Sequence, residues 1–141
     1  MVEAGGISYD FYDDDDDYDP VDERLLPLTS ENFLIILRTN ISRVDFKGLD
    51  KAKGYLLQVD RKEARYTIEI DFNQSQEDQE LTLVHEVLHA ERGIIPLSSS
   101  IYSEEERIVE ELSVSFYHEN SDLVKWAFSR IRGTDQLTLG L

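Results

Sequence analysis

The chain contains no cysteine. That excludes a disulfide framework and every thiolate metal site, leaving histidine, aspartate and glutamate as the side chains able to hold a metal. Long apolar runs are also missing: no stretch approaches the roughly 18 consecutive apolar residues of a membrane helix. The opening "MVEAGGISYD" has neither the basic flank nor the apolar run of a secretory signal. These absences set the expectation of a cytoplasmic protein with no membrane partner. Positive charge is scarce, with 14 Lys and Arg against 30 Asp and Glu and a formal charge of −16. Phosphate neutralisation needs clustered bases, and the sequence offers no such cluster, so direct nucleic-acid binding is not expected.

The negative charge is concentrated at one end. "YDFYDDDDDYDPVDE", residues 9–23, holds more than half of the aspartates and no base. Such a run repels itself and buries little apolar surface, so residues 1–24 are expected to form a disordered acidic tail. Tyr9, Phe11, Tyr12 and Tyr18 make it more adhesive than a plain acidic linker. It reads either as a solubilising tail or as a partner-binding, metal-competing or nucleic-acid-mimicking segment. Residues 25–141 have the length of one domain, and an apolar content of 40% supports a modest core.

Within that domain, "TSENFLIILRTNI" predicts a helix over about 31–41, capped by Thr29 or Ser30. "GYLLQVD" (54–60) and "EARYTIEIDF" (63–72) predict strands. In the second, Tyr66, Ile68, Ile70 and Phe72 alternate with polar residues, and the short "RK" between the runs suggests an antiparallel hairpin. "SQEDQELTLVHEVLHAERG" predicts a helix opened by a Ser75–Asp78 capping box and closed at Gly93. "SEEERIVEELSVSFYHEN" predicts the next, with a Ser103–Glu106 capping box and an apolar stripe of Ile108, Val109, Leu112 and Phe116. "SDLVKWAFSRI" follows with Ser121 as its cap, and "GTDQLTLGL" reads as frayed or locally packed. The expected class is therefore α+β: a helix, a short mainly antiparallel sheet, a histidine-bearing helix and a further helix packed on it.

Two of the three histidines stand four apart in "VHEVLH", with a glutamate after the first. On a helix that spacing puts His85 and His89 on one face, at the edge of the apolar arc, where two imidazoles can converge on one zinc ion. Glu86 projects beside them and can take a proton from an attacking water. The alternative is an ordinary amphipathic helix whose boundary histidines bond to backbone or water. A zinc site needs a third protein ligand. His118 is one candidate, and Glu104, Glu105, Glu106, Glu110 and Glu111 are others. Glu110 follows His89 by 21 positions, close to the roughly twenty at which a second helix brings a glutamate to a His₂Glu site. Spacing alone leaves Glu106, Glu110 and Glu111 open.

"LTLVHEVLHAERG" followed by "EERIVEELSVSFYHENSDLVKW" resembles the ImmA/IrrE-like zinc metallopeptidases, particularly small stand-alone members of phages and prophages. In that family the HExxH helix is followed by one reading E-x-x-A with an aromatic or leucine three residues on. Here those positions are Glu110, Ser113 and Phe116, with serine in place of alanine and Leu112 where many members have glutamate. The resemblance spans roughly residues 54–128 and implies a zincin-like α+β domain. It implies Zn²⁺ held by His85, His89 and Glu110, with Glu86 as general base and then proton donor to the leaving amine. A zinc-dependent endopeptidase acting on a protein substrate follows, with an extended substrate added to the sheet edge. Characterised relatives cleave helix-turn-helix transcriptional repressors, which makes a separate repressor protein the implied partner. Competing readings are a catalytically silent zincin-fold binding module, an interaction protein acting through its acidic tail, and a zincin of another type with His118 as third ligand.

Overall fold

Thr29 begins the first helix, α1 (Ser30–Thr39), by accepting a 3.1 Å hydrogen bond from the backbone N–H of Asn32. The computed structural model describes residues 25–133; the acidic segment 1–24 and the C-terminal 134–141 lie outside the described residues. After α1 come β1 (Ile41–Lys47), β2 (Gly54–Asp60) and β3 (Arg65–Asp71). Then follow α2 (Gln76–Arg92), α3 (Tyr102–Glu119) and α4 (Ser121–Arg132). The class is α+β, as expected. None of the described helices is long and apolar enough to cross a membrane.

The sheet differs from the expectation in one respect. Its order is β1–β3–β2, with β1 parallel and β2 antiparallel to β3, so it is mixed rather than mainly antiparallel. The sequence reading contains no strand at 41–47. The register slips between Ile41 and Arg43, so Ile41 and Val44 both reach the core from positions three apart and no clean alternation results. The β2–β3 turn is also longer than a two-residue "RK". Asp60 Oδ1 accepts from the N–H of Lys62 at 2.9 Å, and Ala64 takes a left-handed φ of 51° before β3 begins.

Tyr66, Ile68 and Ile70 of β3 face the helices and meet the buried Leu83, Val84, Val87 and Leu88 of α2 in one core. Phe33 of α1 stacks on Phe116 of α3 with ring centroids 5.2 Å apart, and Phe128 of α4 meets the edge of Phe46 at 5.7 Å. The opposite sheet face carries Arg43, Asp45 and Lys47 of β1 beside Glu69 of β3, joined by a 2.9 Å Lys47–Glu69 ion pair. On β2 the same face exposes Tyr55 and Leu57, and Val59 is exposed where the ladder slips between Gln58 and Asp60.

Helix starts follow two different rules. Ser75 caps α2 through the N–H of Asp78 at 3.1 Å, whereas neither Ser103 nor Ser121 is a cap. The capping positions are Ile101 and Asn120, without side-chain capping bonds, so α3 begins two residues earlier than its capping-box pattern predicts. At its other end α2 stops at Gly93, whose φ of 94° suits glycine. Ser113 is fully buried on α3, and its hydroxyl has no hydrogen-bond partner among the described residues.

Gly54 brings β2 hard against α2. A Cβ there would stand 2.5 Å from Thr82 Cγ2 and 2.9 Å from the Glu69 carbonyl oxygen. Gly54→Ala is expected to destabilise the protein by about 1–3 kcal/mol, the usual cost of overpacking. A urea midpoint equal to wild type would show that the strand yields without strain.

Candidate metal centre

α2 and α3 run antiparallel, which the polar pairs along their seam make plain. Arg92 meets Glu105, His89 meets Glu106, His85 meets Glu110, and Glu80 meets Tyr117. As the number falls on one helix it rises on the other. The outer rungs are ordinary structural bonds. Arg92 forks onto Glu105, with Nη2 donating to Oε1 at 3.0 Å. Fully buried Glu80 accepts from the Tyr117 hydroxyl at 2.6 Å, from Lys125 at 2.9 Å and from Gln76 at 2.9 Å.

The inner rungs gather the titratable groups. His85 and His89, one turn apart, have ring centroids separated by 4.9 Å. Glu106 Oε2 is 2.8 Å from His89 Nε2, and its Oε1 is 3.6 Å from His85 Nε2. One ligand atom from each of these three residues lies within 4.8 Å of the others, so the group could hold a metal ion. A tetrahedral ion with bonds of about 2.1 Å sets its ligand atoms about 3.4 Å apart. The two spacings from Glu106 to the histidines, 2.8 and 3.6 Å, bracket that value.

Glu110 stands outside this group of three. Its carboxylate reaches His85 on the other ring nitrogen, with Nδ1 3.1 Å from Oε1, and its side chain is 57% exposed. A proton on Nδ1 donated there leaves the Nε2 lone pair of His85 directed at the cluster. Of the remaining candidates, Glu105 is engaged by Arg92, Glu111 pairs with Arg107 at 2.9 Å, and Glu104 and His118 are exposed. A count of residues from His89 points to Glu110, but the facing carboxylate depends on where the 93–101 connection sets α3 down. It does so with Glu106 opposite both histidines.

Electrostatics favour the forms a metal site needs. Burial lowers the His89 pKa, against the pull of Glu106, so its imidazole favours the neutral ligating form. Glu86 is buried immediately beside the histidines, and burial, reinforced by the Glu106 charge, pushes its pKa up to about 8. In metal-free protein it is thus a neutral acid near pH 7, and a divalent cation would draw its pKa down. Tyr102, whose pKa burial, Glu106 and Glu86 raise, borders the same space. That space is a cavity of about 600 Å³ between β2, α2 and the start of α3, with apolar walls from Leu56, Leu81 and Ile94 to Leu97. Gly54, Tyr102 and the 94–97 wall are site residues that the sequence reading does not include. Nothing in their types or spacing marks them.

The Glu86 shift has a consequence for stability. The folded state holds this proton up to about pH 8, whereas an unfolded glutamate releases it near 4.5. The folded state then binds more protons across that window, and stability falls as pH rises through it. In chelator, wild type is expected to lose a few kcal/mol relative to Glu86→Gln between pH 5 and pH 8, at up to about 1.4 kcal/mol per unit. Urea midpoints of the two proteins that stay parallel across this range would contradict the assignment.

No protein-family model, curated protein or solved structure matches this chain.

Proposed function

We propose that the chain is a zinc-dependent endopeptidase of zincin type, similar to the ImmA/IrrE-like metallopeptidases. The observation that carries this reading is the convergence of His85, His89 and Glu106 beside a buried glutamate, Glu86, within one cleft. Two imidazoles and a carboxylate are the donor set of a catalytic His₂Glu zinc site, which leaves a coordination position open. His85, His89 and Glu106 would hold the ion, with Glu110 orienting His85 through Nδ1. When bound, zinc supplies a Lewis acid for the scissile carbonyl and makes water acidic near neutral pH.

The chain's own residues account for the rest. Glu86, ionised once a cation offsets its burial, accepts the proton of the attacking water and then delivers it to the leaving amine. Tyr102, at the cleft wall, would donate its hydroxyl hydrogen to charge developing on the substrate. Substrate alignment falls to β2. The N–H of Asp71 donates to the Lys53 carbonyl at 2.9 Å, which sets the alternation of the ladder. Tyr55 and Leu57 then spend their backbone groups on β3, while Gly54, Leu56 and Gln58 turn theirs to the free edge. An extended peptide pairing there runs past Glu86, whose Oε2 would lie 3.4 Å from a Cβ on Gly54. The substrate is a separate protein in this reading, and a helix-turn-helix repressor is the one the resemblance offers.

The test is metal binding followed by turnover. The purified chain is expected to take up one zinc and, at a free concentration about 100 times Kd, to gain about 2.7 kcal/mol. That corresponds to roughly 10 °C in melting temperature for a domain of this size. Identical melting curves with zinc and with chelator would end the proposal.

A further inference from the structure

We propose that the free edge of β2 is the docking site of the chain's own acidic segment, residues 9–23, paired there as an added strand. β2 bonds to β3 on one side only, and among the described residues no strand takes its other edge. Tyr55, Leu57 and Val59 form a stripe along it, 46%, 43% and 59% exposed. Natural edge strands are usually guarded by a lysine, a proline, a bulge or short length. "GYLLQVD" is seven residues long and has neither lysine nor proline, and its ladder with β3 slips only at the far end, between Gln58 and Asp60, so the run from Gly54 to Gln58 is unguarded. Such an edge calls for a cover.

Charge identifies the cover. Residues 41–65 carry seven of the chain's bases against four acids, in a protein of formal charge −16. Lys51 and Lys53 precede β2 and Arg61 and Lys62 follow it, and none of the four has an ion-pair partner among the described residues. An apolar stripe with bases at both ends fits an extended segment that combines aromatic residues with carboxylates. Residues 9–23 have that composition, with Tyr9, Phe11 and Tyr12 running into Asp13–Asp17. Reach is not limiting. The connection from Phe11 to Leu25 can span about 45 Å, beyond the roughly 13 Å radius of a domain of about 100 residues. A tether of this length holds the segment at about millimolar effective concentration, which populates even a weak pairing. Where the peptidase reading holds, the docked segment and an extended substrate compete for one edge. The docking itself does not depend on that reading.

The absence of native cysteine allows a direct test on the full chain. Phe11→Cys is combined either with Leu57→Cys on β2 or with Trp126→Cys on α4, both exposed positions. At about 10 mM salt the intramolecular disulfide to position 57 is expected to form about tenfold faster than that to position 126. The preference should vanish near 1 M salt, where the screening length is about 3 Å. It should also vanish when Lys51, Lys53, Arg61 and Lys62 are all changed to glutamate. Equal rates to the two positions, or a preference indifferent to salt, would overturn the proposal. Covalent dimers of the single variant Leu57→Cys forming as fast as the intramolecular bond would assign the edge to a second copy instead. Nothing in the readout involves turnover, so failure of the zinc reading and failure of the docking are separately visible.

Discussion

Glu86→Gln is expected to slow peptide hydrolysis by about 10³-fold, within the 10²–10⁴ range for a general acid–base group, while zinc content stays at one per chain. The amide has the shape of the carboxylate but cannot take up the proton of the attacking water. Glu86 is 6% exposed and does not belong to the group of three that could hold the metal, so its loss should leave binding intact. Folding should not suffer either, because the substitution removes a buried group whose ionised form is costly. The measurement is turnover beside metal content on the same preparation. Normal turnover would remove Glu86 from the mechanism, and loss of zinc would make it a ligand.

The second large effect separates two neighbouring carboxylates. Glu106→Ala is expected to weaken zinc binding by more than about 100-fold, because it removes one of the three residues that could hold the ion. Glu110→Ala should cost about 10–100-fold, the usual range for a group that orients a ligating histidine. The geometry behind this ranking is direct: Glu106 lies against Nε2 of both histidines, whereas Glu110 touches only Nδ1 of His85. Competition with a chromogenic chelator gives both constants. If Glu110→Ala releases the metal and Glu106→Ala retains it, the ligands are His85, His89 and Glu110, as the family resemblance implies.

These two residues differ in a property that local sequence pattern does not determine. The pair His85 and His89 was legible because i,i+4 spacing on a helix fixes relative position within a single element. So were the α+β class and the Ser75 cap, which depend on local patterns. The choice between Glu106 and Glu110 depends on how far α3 slides along α2, and that offset is set by packing of the 93–101 connection and by the rungs at Arg92 and Glu80. Periodicity carries no information about such an offset. β1 escaped for a related reason: one extra residue at its start broke the alternation that would have marked it. The cavity wall at Ile94 to Leu97 reads as an unremarkable loop in sequence and becomes part of a site only through its placement over α2.

The antiparallel seam between α2 and α3 has a thermodynamic consequence for any metal ion the cluster would hold. Two of its four rungs, Arg92–Glu105 and Glu80–Tyr117, flank the candidate ligands and need no ion. Their bonds and the surrounding core hold the two helices in register, so the conformational entropy of aligning three ligands is lost during folding and not during coordination. The centre is preorganised, unlike a zinc finger, in which binding and folding are one event. A metal ion held by the cluster would therefore exchange with an already folded protein. A circular-dichroism spectrum that keeps its helical intensity in excess chelator is the signature of this arrangement, and a collapse to a coil spectrum would disprove it.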